Sequence, residues 1–181
     1  VPSASAALVD YVGFAWETGG LVPTETGDEL HVLAVATQAD PLFGVDLGAA
    51  EMTLSLDGLI SQGAHTDPVS GWTLVPYSGG RLRVYADAGR DKDWGIAPPN
   101  ATAPASFENG ELLFEGVFTS FTLTLAPDGS GVFEGRLDAV GGSALAGPCA
   151  DCAYSFAGTF SREAGAQIPE GYDLQVDGRL E

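Results

Sequence analysis

Positive charge is scarce in this sequence, which has 7 lysines and arginines against 25 aspartates and glutamates and a formal net charge of -18. A chain this acidic cannot neutralise phosphate groups, which argues against binding to nucleic acid or to an anionic membrane surface. Long apolar runs are also absent, and no stretch of about 20 apolar residues predicts a membrane-spanning helix. Apolar residues still make up 45% of the chain, which excludes a disordered acidic tail and indicates one domain, residues 1–181, with a hydrophobic core.

Cysteine is nearly absent, since Cys149 and Cys152 are the two that the sequence contains. A structural zinc site needs about four ligands, and no second cysteine pair is present to complete one. A thioredoxin-type redox pair would need an amphipathic helix after the Cys-x-x-Cys motif, and the sequence lacks that pattern. We therefore predict a small disulfide between Cys149 and Cys152 that closes a loop, which favours an oxidising, extracytoplasmic compartment.

The first residues, Val1-Pro2-Ser3, contain no initiator methionine. They fit a mature polypeptide left after removal of a signal peptide, although an expressed fragment that starts at the same residue would look identical. Together with the predicted disulfide, this favours an extracellular or cell-surface protein that is exported through a removed signal peptide.

Strand signals dominate the sequence, and helix signals are weak because glycine and proline interrupt it every few residues. Apolar and polar residues alternate in 51–60, 81–87 and 172–181, which is typical of half-buried antiparallel strands. The segment 29–37 is apolar on both faces and predicts a central strand. The pattern as a whole predicts an all-β fold, a single antiparallel β-sandwich of jelly-roll-like or Ig-like type with roughly eight to ten strands.

One long apolar segment changes the face of the sheet on which its apolar side chains lie. From 112 to 118 they occupy even positions, and from 121 to 125 they occupy odd ones. A flat strand cannot do this, so we predict a β-bulge, or a bend between two sheets, near Thr119-Ser120. Asn109-Gly110 and Asp128-Gly129, on either side of the segment, are typical of hairpin turns.

The pattern apolar–x–Gly–x–apolar occurs five times, centred on Gly58, Gly116, Gly135, Gly158 and Gly178. Each glycine falls on the same face as its large apolar neighbours. The missing side chain leaves room there for an aromatic ring and lets the strand coil, as in strongly curved sandwiches and barrels. A closed barrel of the outer-membrane type is an alternative, although the cysteine pair and the outward-facing Glu, Asp and Arg residues argue against it.

The middle of the chain carries a series of glycine and phenylalanine motifs. They are Phe114-x-Gly116-x-Phe118, Asp128-Gly129-Ser130-Gly131-x-Phe133-x-Gly135-x-Leu137 and Gly141-Gly142. With these motifs the region from Phe107 to Phe160 resembles secreted bacterial β-sandwich proteins of the kind exported with a PEP-CTERM sorting signal. The resemblance implies a location at the cell surface or in a matrix, and it assigns no functional residue.

The densest cluster of charged residues lies in 87–95. Asp87, Asp91 and Asp93 could supply oxygen ligands to Ca²⁺, although their spacing is not that of an EF-hand loop. Arg90 and Lys92 offset part of their charge, so a solvated loop with local ion pairs is the alternative. We expect no cofactor, and Ca²⁺ at these three aspartates is the one candidate metal site.

No motif in the sequence indicates catalysis, and we predict a non-enzymatic protein without catalytic residues. Gly-x-Ser-x-Gly does not occur, and His31 lies in an apolar strand where a core or interface role is expected. Trp16, Trp72 and Trp94 could stack on sugars, but such tryptophans more often belong to a core or its rim. A secreted glycoside hydrolase, with two carboxylates in a cleft, stays open as an alternative.

The N-terminal segment 6–16 is apolar almost throughout, and the last strand alternates up to its final residue. A terminal strand can pair within its own sheet or complete the sheet of a second copy, and head-to-tail repetition of that contact builds a filament. We predict an extracellular structural protein, a subunit of a surface filament or matrix that self-associates by β-strand complementation, with 1–17 as the exchanged strand. A carbohydrate- or surface-binding module with a glycan partner is the alternative. The residues predicted to form the assembly strand are Leu8, Val9, Tyr11, Val12, Phe14 and Trp16.

Overall fold

The computed structural model describes residues 8–21, 24–95, 103–144, 153–162 and 168–181. These residues form nine β-strands, one short α-helix and a 3-10 turn at Pro41–Phe43. The elements are β1 (Val9–Glu17), β2 (Glu29–Ala39), β3 (Glu51–Ser61), β4 (His65–Thr66), β5 (Thr73–Asp87), α1 (Ala103–Phe107), β6 (Glu111–Leu125), β7 (Gly131–Gly141), β8 (Ala153–Ser161) and β9 (Leu174–Leu180).

Eight of these strands close into an antiparallel β-barrel. Going around the barrel, each strand pairs with the next one in the chain, except that β3 pairs with β5 because β4 only extends β5 as a short hairpin. The last strand, β9, pairs with β1 and completes the ring. The predicted β-sandwich is therefore wrong, and the fold is an up-and-down barrel made from a single sheet.

The alternation of apolar and polar residues could not distinguish these two folds. A strand of a sandwich and a strand of a barrel both have one dry face and one wet face, so they share the same period of two. The difference lies in which distant strands pair. Here β3 and β5 pair from Glu51↔Asp87 to Ser61↔Tyr77, and the sheet curls until its dry face encloses the core.

Apolar side chains fill the barrel interior. A space of about 10 Å³ remains between Leu30, Phe121 and Phe160, among others, which is room for about one water molecule. Neighbouring rings pack closely, and Tyr11 stacks on Phe156 with ring centroids 4.7 Å apart. The buried aromatic side chains of this core are Tyr11, Phe43, Tyr77, Phe114, Phe118, Phe121, Phe133, Phe156 and Phe160.

The strands curve for the reasons that the sequence indicates. The register between β6 and β7 shifts between Phe118 and Ser120, which confirms the predicted bulge. A Cβ atom on Gly135 would lie 2.6 Å from Cε1 of Phe118 and 2.7 Å from Cδ2 of Phe121. Gly135 therefore makes room for two aromatic rings inside the barrel, as its position between large apolar residues predicts.

Two local predictions are wrong. Gly58 has a φ of 74° and faces the backbone of Gly80 instead of an aromatic ring. It lies where the register between β2 and β3 is irregular, so its role is to permit this backbone conformation. Asn109-Gly110 connects α1 to β6 instead of joining two strands, whereas Asp128-Gly129 does connect β6 to β7 as predicted.

A second apolar layer covers the outer face of β1 and β2. Trp94, from the segment after β5, contacts Phe14 and Phe107 with ring centroids 4.7 Å away in each case. Phe107 belongs to α1 and buries Leu33 of β2 beneath it. The segment 29–37 is apolar on both faces because one face meets the core and the other meets this layer. None of the helices in the described segments is long and apolar enough to cross a membrane.

Candidate functional site

An acidic group lies outside the barrel, where β3 begins and β5 ends. Glu51 and Asp87 are paired across these two strands, and Asp91 follows in the segment after β5. One carboxylate oxygen from each of the three lies within 4.8 Å of the others. Such a group could share a divalent cation such as Ca²⁺, although three oxygens supply only part of the roughly six to eight ligands that Ca²⁺ takes.

Lys92 already neutralises part of this acidic group. Glu51 is only 4% exposed, and its two oxygens accept hydrogen bonds from the backbone N–H and the Nζ of Lys92 at 2.8 and 3.0 Å. Asp91 accepts two bonds from Nδ2 of Asn109. Oδ2 of Asp87 and Oδ1 of Asn109 are buried and have no hydrogen-bond partner among the described residues. A Ca²⁺ ion would have to displace the Lys92 ammonium group, so binding there would be weak.

The structure brings together two of the three residues predicted as calcium ligands, Asp87 and Asp91. Asp93 is not one of the three residues of the acidic group, and its Oδ1 accepts a hydrogen bond from the backbone N–H of Gly95. The sequence did not indicate that Glu51 belongs to this group, because its place in the alternating strand predicts an ordinary outward-facing polar residue. Only the pairing of β3 with β5 places it beside Asp87.

The predicted assembly residues, from Leu8 to Trp16, lie in β1 or immediately before it. This strand is hydrogen-bonded on both edges, to β2 on one side and β9 on the other. Val9 and Tyr11 point into the interior and are fully buried, while the even-numbered residues from Val12 to Trp16 are half-buried on the outer face. The strand thus pairs within its own sheet, which is one of the two alternatives, and self-association stays a prediction.

A buried carboxyl group at one end of the barrel was missed in the sequence. Glu17 is the last residue of β1, faces inward and is 4% exposed. Its carboxylate accepts hydrogen bonds from the hydroxyl groups of Thr24 and, at 3.4 Å, Tyr77. The hydroxyl of Thr24 also bonds Ser61 Oγ at 3.2 Å. The alternation in β1 could have revealed it, because the odd-numbered residues of this strand, Glu17 included, all face the interior.

Glu17 titrates near neutral pH. Burial is the main cause that raises its pKa to about 7, and the negative charges of Asp28 and Asp173 act in the same direction. The hydrogen bonds from Thr24 and Tyr77 act against this rise. A carboxyl group with such a pKa can serve as a general acid or base where a substrate reaches it. Glu17 is nearly sealed from solvent, so we interpret it as a structural group.

A groove of about 380 Å³ crosses the outer face over β2 and β3, beside the end of α1. Trp16 and His31 lie opposite each other on β1 and β2, and their rings stack with centroids 4.8 Å apart and an angle of 9° between the planes. Leu33 is buried beneath Phe107 at the floor of the groove. We call this feature the outer groove, and the lining residues that matter below are Trp16, Glu29, His31, Leu33, Asp57 and Glu108.

The three tryptophans do not form a common platform for sugars. Trp16 and Trp94 both pack against Tyr172, with ring centroids 5.3 and 6.3 Å away. Trp72 is 46% exposed and precedes β5, which is three strands away from β1 around the barrel. Within the described part of the chain, a ligand in the outer groove would therefore meet one tryptophan, Trp16.

No protein family, curated protein or solved structure matches the chain. The resemblance of 107–160 to PEP-CTERM-exported proteins therefore stays a prediction. The two cysteines of the predicted disulfide, Cys149 and Cys152, lie outside the described residues.

Proposed function

We propose that the protein is a non-enzymatic, extracellular binding module that holds its ligand on the outer surface of the barrel. The contrast between a filled interior and an open outer groove carries this proposal. The interior space between Leu30, Phe121 and Phe160 measures about 10 Å³, whereas the outer groove encloses about 380 Å³. Small-ligand sites have volumes of roughly 300–1,000 Å³, so of these two spaces the groove has a suitable size.

The lining of the outer groove supports binding. Ligand sites combine apolar and aromatic surface with a few polar groups that fix the ligand's orientation. Trp16 and His31 supply the first component, and the carboxylates of Glu29 and Asp57 belong to the second. These residues lie on the adjacent strands β1, β2 and β3 of a closed sheet, and Glu108, which follows α1, completes the lining.

The placement of Glu17 favours binding over catalysis. Among the described residues it is the carboxyl group whose pKa is raised to about 7, and it lies inside the barrel end with hydroxyl partners. Hydrolysis by two carboxylates would need such a group in an open cleft next to a second one. The extracellular location rests on the sequence, through the predicted Cys149–Cys152 disulfide.

Nuclear magnetic resonance titration of the full chain tests this proposal. We expect a panel of soluble glycans and organic amines to include a ligand that shifts the indole N–H of Trp16 and the amides of β2 and β3. Trp16→Leu should abolish that binding, whereas Trp72→Leu, which removes an exposed tryptophan elsewhere, should leave it intact. Circular dichroism melting checks that both variants fold. If ligands shift only residues outside the groove, or shift none, the proposal is wrong.

Self-association is a second candidate function, and exposed apolar side chains on the outer face favour it. Leu74 and Val132 are 45% and 50% exposed, and each is paired with Thr124, which lies between them on β6. Trp72, close by in the chain, is also exposed. Light scattering and electron microscopy of native material test this candidate. Compact monomers at all concentrations would reject it, and regular fibres would support it.

A further inference from the structure

We propose that the outer groove binds an organic cation, an ammonium or guanidinium group carried on an apolar stem. This inference rests on the proposed binding function and names the class of ligand. It follows from the way in which the groove combines aromatic and apolar surface with several carboxylates.

The aromatic part of the groove suits the stem and the charge of such a ligand. Trp16 and His31 stack face to face, so they form one rigid wall instead of two mobile side chains. Tyr172 contacts the Trp16 ring at an angle of 89° and holds it from another side. Cations are attracted to the electron-rich faces of aromatic rings, and to tryptophan most strongly.

The carboxylates around the groove are held in place by internal hydrogen bonds. Oε1 of Glu29 accepts a bond from the backbone N–H of Gly58 at 2.8 Å. Oε1 of Glu108 accepts a bond from Ser55 Oγ at 2.6 Å. Both carboxylates are therefore oriented before a ligand arrives, which lowers the entropy cost of binding.

The third carboxylate, Asp57, is paired with Arg83, which also contacts Glu115. Nη1 of Arg83 lies 3.1 Å from Oδ2 of Asp57, and Nε of the same arginine lies 3.1 Å from Oε1 of Glu115. Arg81 also contacts Glu115, at 2.8 Å. Arg81 and Arg83 are thus shared between Asp57 and Glu115. Glu29 lies 3.6 Å from Nε2 of His31, and neither Glu29 nor Glu108 has a lysine or arginine partner among the described residues, so these two carboxylates leave the groove negative.

The negative charge of the outer groove favours some classes of ligand over others. An anion would be repelled by the groove and by a chain of formal net charge -18. A neutral sugar would displace water from the carboxylates without providing a compensating charge. A cation offsets that loss and is also drawn in by the field of the whole protein. Two sources carry the required group, a free polyamine or the lysine or arginine side chain of a basic peptide.

Calorimetry and nuclear magnetic resonance with four probes test the inference on the full chain. The probes are acetyl-arginine amide, its neutral isostere acetyl-citrulline amide, spermidine and cellohexaose. We expect the arginine probe to bind about tenfold or more tightly than the citrulline probe and to shift the Trp16 indole N–H. Its affinity should fall as salt is added.

Matched charge variants separate a specific site from general attraction. Glu108→Gln removes one charge from the groove while its amide can still accept the bond from Ser55. Glu134→Gln removes the same charge from the exposed outer face of β7. We expect Glu108→Gln to weaken binding of the arginine probe about fivefold and Glu134→Gln to change it less than twofold. Equal losses in the two variants would show diffuse attraction and would overturn the inference.

The other outcomes distinguish this inference from the proposed function. Equal binding of the arginine and citrulline probes, or binding of cellohexaose alone at the groove, would reject a cation site and leave a binding module. No shift at the groove with any of the four probes would count against both. Binding of spermidine supports a free amine as the source, whereas binding of the arginine probe without spermidine supports a peptide side chain.

Discussion

Tyr11 occupies the space that the missing side chain of Gly178 leaves inside the barrel. The two residues are paired across β1 and β9. A Cβ atom on Gly178 would lie 2.6 Å from the Tyr11 hydroxyl oxygen and 2.4 Å from the backbone carbonyl oxygen of Ala157. The glycine therefore allows a large ring to lie where the first and last strands meet, and it lets both neighbouring strands approach.

We expect Gly178→Ala to lower the free energy of unfolding by about 1–3 kcal/mol. The added methyl group would meet backbone atoms that cannot move aside, and the Tyr11 ring would have to shift as well. Urea denaturation followed by tryptophan fluorescence measures the change. The control is Gly141→Ala, where the nearest atom to the new Cβ is the flexible Oε2 of Glu115 at 3.4 Å. Equal stability of the two variants would contradict this account of Gly178.

Removing the hydroxyl group of Tyr11 should not destabilise the protein. The hydroxyl is buried without a hydrogen-bond partner among the described residues, and burial and the charge of Asp177 raise its pKa well above the ordinary value. Loss of an unpartnered buried polar group removes a desolvation penalty, so Tyr11→Phe should raise the stability by up to about 1 kcal/mol. Tyr77→Phe, which loses a bond to Glu17, should lower it. Thermal melting that ranks the two variants the other way would refute this.

Glu17→Gln should change how stability depends on pH. The pKa of Glu17 is raised in the folded protein from 4.5 to about 7, so the folded state holds its proton more tightly than the unfolded state does. The stability that this proton provides is complete below pH 4.5 and is lost as pH rises towards 7. We expect Glu17→Gln to gain stability relative to the wild type across this window, by an amount on the order of 3 kcal/mol.

Urea titrations at half-unit pH intervals measure this difference. The difference between variant and wild type is the relevant quantity, because other carboxylates impose their own pH dependence on both proteins. Glu134→Gln, on the exposed face of β7, serves as the control and should run parallel to the wild type. Parallel curves for Glu17→Gln as well would show that Glu17 has an ordinary pKa.

Calcium binding at the acidic group should be weak and limited by Lys92. Calorimetry of the wild type is expected to give a dissociation constant on the order of 1 mM, as in weak extracellular sites. Lys92→Gln should tighten binding because it removes the cation that contacts Glu51. Asp91→Asn should weaken it, and Asp93→Asn should leave it unchanged because Asp93 is not in the group. The absence of heat and of any melting shift with Ca²⁺ against chelator would reject the site.

The faces of the strands could be predicted from the sequence because they depend on local period. Met52, Leu54 and Leu56 point into the core at the even positions of β3, as the alternation indicates. The predicted wet face of this strand is wrong, because Thr53 and Ser55 are buried too, against Phe107 and Glu108. The bulge near Thr119-Ser120 could be predicted for the same reason, since it appears as a change of phase within one strand. These features need no knowledge of which strand lies next to which.

The barrel and the sites depend on pairings between distant strands, which alternation does not encode. Glu51 meets Asp87 only because β3 pairs with β5, and Trp16 meets His31 only because β1 pairs with β2 in that register. The buried Glu17 is an intermediate case. The alternation in β1 predicts that Glu17 points inward. The hydroxyl groups that bond it come from Thr24 and Tyr77, which lie elsewhere in the chain, so they could not be predicted.

Closure of the barrel joins the first strand to the last, with Val9 paired to Leu180. Contacts between residues so far apart in sequence carry a large loop-closure entropy and tend to form late in folding. A folding chain with β1 still undocked would present two unpaired edges, those of β2 and β9, separated by a gap of one strand. The β1 of a second copy would fit that gap in the same register. Self-association by strand exchange would then be governed by how long the barrel stays open, and warming or dilute denaturant would promote it.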